Sequence, residues 1–103
     1  MEMIQADQIV MGLILNAGNG KQHIYQALDY AKQKKFNKAE EEAHLADQAL
    51  NEAHNIQTAW LAREAGGERS EITALFIHAQ DHLMTTMSEI NLVKEIIELR
   101  KEL

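Results

Sequence analysis

The sequence predicts an all-α fold, an antiparallel up-down-up bundle of three helices, and three observations carry that expectation. Proline, the commonest punctuation of turns and edge strands, is absent from all 103 residues. Hydrophobic residues make up 46% of the chain but aromatics only 5%, so the core is built from Ala, Leu and Ile, which suits helices packed closely on helices. Apolar positions recur at three-four spacing through three long stretches separated by short polar ones.

In the first stretch, Val10, Leu13, Ile14, Ala17, Ile24, Ala27, Leu28 and Ala31 lie on one helical face between Ile9 and Ala31. Gly12, Gly18 and Gly20 interrupt it at roughly 1 kcal/mol each relative to alanine, a penalty that makes sense where another backbone or a ligand comes close. Because the stripe resumes in phase beyond Gly20, the expectation is one continuous helix.

Lys32-Gln33-Lys34-Lys35 suits a helix C-terminus, and Asn37-Lys38-Ala39-Glu40 reads as an N-cap with its capping-box partner, placing a tight connection near residues 33–37. The second helix then carries Ala39, Ala43, Ala46, Leu50, Ala53, Gln57, Trp60 and Leu61 on its packing face and ends at Gly66-Gly67. Ser70 serves as N-cap for a third helix with Ile72, Leu75, Phe76, Ala79, Leu83, Thr86, Ile90, Val93 and Ile97 along its inner face. No linker, low-complexity tract or repeat divides residues 1–103, which are expected to form a single domain.

Helix three carries a second apolar stripe. Ala74, Ile77, Leu92, Ile96, Leu99 and Leu103 flank Asp81, which points away from the inner face. One core cannot bury both stripes, so the pattern asks for self-association, with Asp81, Thr85 and Ser88 inside the seam. Identical carboxylates meeting on a symmetry axis require a proton or a cation, and an all-oxygen donor set favours Mg²⁺. The alternative is a solvated aspartate on a monomeric bundle, and composition leaves the two open.

Composition also excludes function classes. With no cysteine there is no disulfide framework, thiolate metal site or cysteine nucleophile in the chain. A formal net charge of −6 would repel phosphate backbones, so no nucleic-acid partner is expected and a basic protein is the natural one. Met1-Glu2-Met3-Ile4-Gln5 lacks a basic-then-apolar leader and no stretch is long enough to span a bilayer, so the expected location is cytoplasmic, without membrane insertion. A Gly-rich phosphate loop ending in Lys-Ser/Thr is missing, which argues against ATP binding.

His78 and His82, four apart, project from neighbouring points of one face at the border between the two stripes, with Asp81 on the flank. Spacing leaves a metal clamp, in which both imidazoles hold Zn²⁺ and Asp81 completes the site, and a phosphoryl acceptor both open. His78-Ala79-Gln80-Asp81-His82-Leu83-Met84-Thr85-Thr86 resembles the active-site segment of the lactose/cellobiose-type IIA component of the bacterial phosphoenolpyruvate-dependent sugar phosphotransferase system. Agreement extends to Asn51-Glu52-Ala53-His54 with Gln57-Thr58, to Leu61-Ala62-Arg63-Glu64-Ala65, to Gly12-Leu13-Ile14 with Ala17-Gly18, and to Ile96-Ile97-Glu98-Leu99.

The resemblance implies a homotrimer associating through helix three and a phosphocarrier in which His78, through Nε2, takes a phosphoryl group from phospho-HPr. It implies delivery to a cysteine of a IIB component, with a IIC membrane component as indirect partner, for uptake of a β-linked disaccharide such as cellobiose, chitobiose or lactose. It maps Asp81 onto a metal ligand at the trimer axis. His82, Gln80 and Gln57 are candidates for stabilising the phosphoryl group, the glutamines if a subunit interface brings them near. His54, in the helix-two motif, is expected to hold structure. Where family members commonly read Ala-Arg-Ser after the helix-one glycine, this chain has Gly20-Lys21-Gln22, which keeps positive charge without arginine's bidentate geometry and leaves Lys21 as a candidate contact.

Overall fold

The computed structural model describes residues 2–68 and 72–103, the latter to the last residue, with side chains from Asp7 onward. Three helices follow in order, α1 Glu2–Lys32, α2 Phe36–Ala65 and α3 Ala74–Lys101, forming a rod of 52 × 20 × 20 Å. Among the described residues there is no strand, and no helix is long and apolar enough to cross a membrane. The long helix α1 packs against both others, whereas α2 and α3 touch sparingly.

The expected continuity of α1 through Gly18 and Gly20 is observed. Gly20 is buried, and a Cβ there would lie 3.4 Å from Ile90 Cδ1 and 3.5 Å from the Ala46 carbonyl oxygen. A Cβ on Gly12 would meet Ile56 Cδ1 at 2.9 Å. Close packing therefore accounts for both of these glycines.

The α1–α2 connection is tighter than the sequence suggested. Lys34 takes φ +61°, with its N–H donating to the Ala31 carbonyl and the Lys35 N–H to the Tyr30 carbonyl, a Schellman closure. Lys35 is at once the N-cap of α2, whose Ala39 N–H donates to the Lys35 carbonyl. Asn37 is thus inside the first turn and does not cap it, because the left-handed residue reverses the chain before Asn37 is reached. A left-handed non-glycine residue costs about 1–2 kcal/mol. Lys34→Gly is expected to raise stability by about 0.5–1 kcal/mol after the entropy of glycine is subtracted, and a urea melt checks it.

Helix α2 closes as expected at its glycine pair. Gly67 has φ +99°, and the N–H groups of Gly67 and Glu68 donate to the Glu64 and Arg63 carbonyls. At α3 the N-cap is Thr73, whose hydroxyl accepts from the Phe76 N–H at 3.1 Å. Ser70, expected to cap this helix, lies outside the described residues.

Two apolar clusters make the core. Val10, Leu13, Ala17, Ala53, Trp60, Phe76, Ala79 and Leu83 form one, with Trp60 and Phe76 rings 4.4 Å apart; Ile24, Ala27, Ala31, Ala39, Ala46, Ile90, Val93 and Ile97 form the other. Leu50 packs against both, and between Leu83 and Ile90 the inner face of α3 carries buried Thr86. The α2 contribution is Ala39, Ala46, Ala53 and Trp60, a strict seven-residue interval. Leu61, Ile72 and Leu75, expected inside, are exposed. Leu61 stands one residue past Trp60 and so about 100° around the helix, Ile72 precedes α3, and Leu75 sits in its first turn at the end of the bundle.

Ion pairs tie the sparse α2–α3 border. Asp47 accepts from Lys94 at 2.6 Å, and Lys101 is shared by Glu40 and Glu98, whose carboxylates, Glu40's first, hold its ammonium above the ordinary lysine range.

Candidate phosphoryl-acceptor site

Every candidate on α3 owes its direction to helical rotation about Ala79, which is fully buried. At about 100° per residue, His78 and His82 fall on one flank, Gln80 falls on the other, and Asp81 faces outward between them. The neighbours agree with that geometry. His82 borders α1, its Nε2 lying 4.0 Å from where a Cβ on Gly18 would be, whereas Gln80 borders α2 and accepts a 2.8 Å hydrogen bond from Gln57 Nε2.

The two imidazoles are parallel within 4°, with ring centroids 6.2 Å apart. His78 is exposed and His82 half-buried, so the first ring is reachable by a macromolecule while the second is held at its back. Parallel rings at that separation do not converge on one ion, and among the described residues no group of three His, Cys, Asp or Glu side chains is disposed to hold a metal within a single chain. The zinc-clamp alternative gains no support from this arrangement.

Asp81 is exposed and, among the described residues, makes no ion pair; its backbone carbonyl accepts from the Thr85 hydroxyl at 2.9 Å. Around it Ile77, Leu92 and Leu99 are 59%, 65% and 63% exposed, and Ile96 and Leu103 are exposed as well. The second stripe expected on α3 is therefore present and uncovered in the single chain. A lone carboxylate supplies only part of a coordination sphere, so a divalent ion fits Asp81 through hard-oxygen chemistry only if other copies contribute the rest.

The remaining candidates separate. Gln57 and Gln80 satisfy one another on the flank opposite His78, so within one chain neither reaches the imidazole. Lys21 stands at the α1–α3 border with Nζ 3.6 Å from Glu89. His54, expected to hold structure, is exposed. His23, given no role by the sequence, bridges α1 and α2 through Nδ1, 2.7 Å from Glu42, and His44 contacts Gln48 at 3.2 Å on the surface. The His23–Glu42 pairing does not follow from helical periodicity, which orders residues around one helix and leaves the register between two unspecified, whereas His44 and Gln48 stand four apart on α2 and meet at ordinary helical spacing.

Comparison with known proteins gives the family of the chain. Residues 8–101 match the family described as PTS system, Lactose/Cellobiose specific IIA subunit. The chain is 40% identical to the PTS system N,N'-diacetylchitobiose-specific EIIA component of Escherichia coli K12, over 99% of this chain and 88% of that protein. It superposes with TM-score 0.91 on the crystal structure of the PTS cellobiose-specific enzyme IIA from Bacillus anthracis, at 46% identity, covering 94% of this chain and 89% of that one. A solution structure of the IIA(chitobiose)–HPr complex of Escherichia coli aligns with TM-score 0.81 at 40% identity, covering 93% of each chain.

Proposed function

The chain belongs to the lactose/cellobiose-specific IIA subunit family of the sugar phosphotransferase system, and on that premise we propose that His78 carries the phosphoryl group. The observation that carries the assignment is an exposed imidazole backed by a second, parallel one. Phospho-HPr is the donor, as the solved complex of the chitobiose relative suggests, and a cysteine of a IIB component is the acceptor. A IIC membrane component takes part only indirectly, and the chain itself works in the cytoplasm. The sugar finally modified is, in this reading, a β-linked disaccharide such as cellobiose, chitobiose or lactose, for which relatives of this chain are named.

In the first step an unprotonated ring nitrogen of His78 gives its lone pair to phosphorus. The bond from phosphorus to the donor breaks, and its electron pair stays on the donor. In the second step a thiolate of IIB attacks the same phosphorus, the N–P bond breaks, and its electron pair returns to the imidazole. An imidazole suits both roles because its neutral form is nucleophilic near pH 7 and it also leaves readily. Such transfer depends on in-line positioning and charge stabilisation, so the protein's task is to hold the ring still and exposed. To His82, one turn along α3 with its ring parallel to that of His78, we assign the donation of a hydrogen bond to a phosphoryl oxygen.

The active species is a trimer assembled through the second stripe of α3. Rotational symmetry sets one flank of each α3 against the opposite flank of the next copy. His78 and His82 of one chain then face the flank that carries Gln80 and Gln57 of its neighbour, and these amides serve the phosphoryl group from across the interface. Asp81 of each copy would hold Mg²⁺ or another divalent cation in such a trimer, and the ion would supply the positive charge that clustered carboxylates need, a structural role.

Incubation with phosphoenolpyruvate, enzyme I and HPr is expected to add one phosphoryl group per chain by intact mass, labile in acid, and addition of IIB is expected to remove it. Absence of any gain would rule out the carrier reading.

A further inference from the structure

Of the three glycines that interrupt α1, packing explains two: Gly20 lies against Ile90 and the Ala46 carbonyl, and Gly12 against Ile56. Gly18 differs. A Cβ there would meet only His82 Nε2, at 4.0 Å, which is ordinary van der Waals contact, so the folded chain has room for alanine at this position. Glycine inside a long helix is nevertheless the costlier choice. Gly18 is half-buried, and the space its missing side chain leaves adjoins the nitrogen expected to meet the phosphoryl group. Lys21, one turn further along the same face of α1, sets an ammonium at the same border.

We infer that Gly18 is the wall of the phosphoryl pocket: its bare Cα keeps open, beside His82 Nε2, the space that receives the phosphoryl oxygens when His78 is loaded. A methyl at this point would still fit the empty site but not the occupied one. This rests on the phosphocarrier reading and extends it to α1, which would otherwise serve as scaffold only. Gly18 is accordingly a positioning residue, since it makes no bond to phosphorus and determines where the group and the His82 ring sit.

The test compares Gly18→Ala with the wild-type chain in thermal melting, sedimentation, phosphoryl uptake from phospho-HPr and the ³¹P spectrum of the loaded form. Expected are a Tm equal to or above wild type, unchanged association, uptake slowed about 10- to 100-fold, and a displaced phosphohistidine resonance. In a His82→Ala background, where the vacated ring leaves alternative room, the added effect of Gly18→Ala should fall to about twofold or less. Wild-type uptake and an unmoved ³¹P signal in Gly18→Ala overturn the inference while leaving His78 as acceptor. Loss of uptake in proportion to loss of association also overturns it, assigning Gly18 to a subunit contact. If the wild-type chain accepts no phosphoryl group, or accepts it elsewhere than His78, the underlying reading fails and the pocket with it.

Discussion

His78→Ala is expected to abolish phosphoryl uptake while leaving the fold untouched. The ring is exposed and contributes to neither core cluster, so its loss should change stability by no more than about 0.5 kcal/mol. Uptake has no substitute route, because His82, the next imidazole, is turned toward α1 and half-buried behind the first. His82→Ala should therefore behave differently, retaining uptake at a rate lowered about 10²-fold through loss of one hydrogen-bond donor to developing phosphoryl charge. Single-turnover mixing with phospho-HPr separates the two. Equal and total loss in both variants would mean that the pair acts as one unit, as a metal clamp would.

The second large effect concerns assembly. Leu92 and Leu99 are each more than 60% exposed on a chain whose own core is complete without them. Covering a side chain of this size is worth about 1.5–3 kcal/mol, and the proposed trimer would repeat each contribution in every copy. Glutamate at both positions should yield folded monomers by sedimentation, with helicity retained. Asp81→Leu should do the reverse, keeping or strengthening the trimer and making it insensitive to chelators, because an apolar residue replaces the carboxylates proposed to share a cation. Monomeric wild-type protein at micromolar concentration would refute the seam; a chelator-sensitive Asp81→Leu trimer would remove the metal from Asp81.

Much of this architecture was legible in the sequence because helices encode their buried face in a single period. The inner stripe of α3 from Phe76 to Ile97 and the continuity of α1 through Gly20 followed from that period alone. Helix ends were harder. Lys34 in the left-handed region is unfavourable locally and is held there by the two helices it joins, so a propensity argument placed the cap at Asn37 instead. Leu61 is exposed because a stripe about 100° wide has shoulders and the neighbouring helix determines which shoulder is covered, and Leu75 because the first turn of α3 lies at the end of the bundle. The pairing of Gln57 with Gln80 and the approach of His82 to Gly18 depend on register between helices, which no one-helix pattern contains.

Site mapping of the loaded chain is the most direct measurement of the central claim. Protein charged by phospho-HPr, digested at neutral pH to spare the N–P bond and fragmented in a mass spectrometer, should carry its phosphoryl group on residue 78 and nowhere else. A group found on His82 or His54, or a charged protein with residue 78 unmodified, would contradict the account.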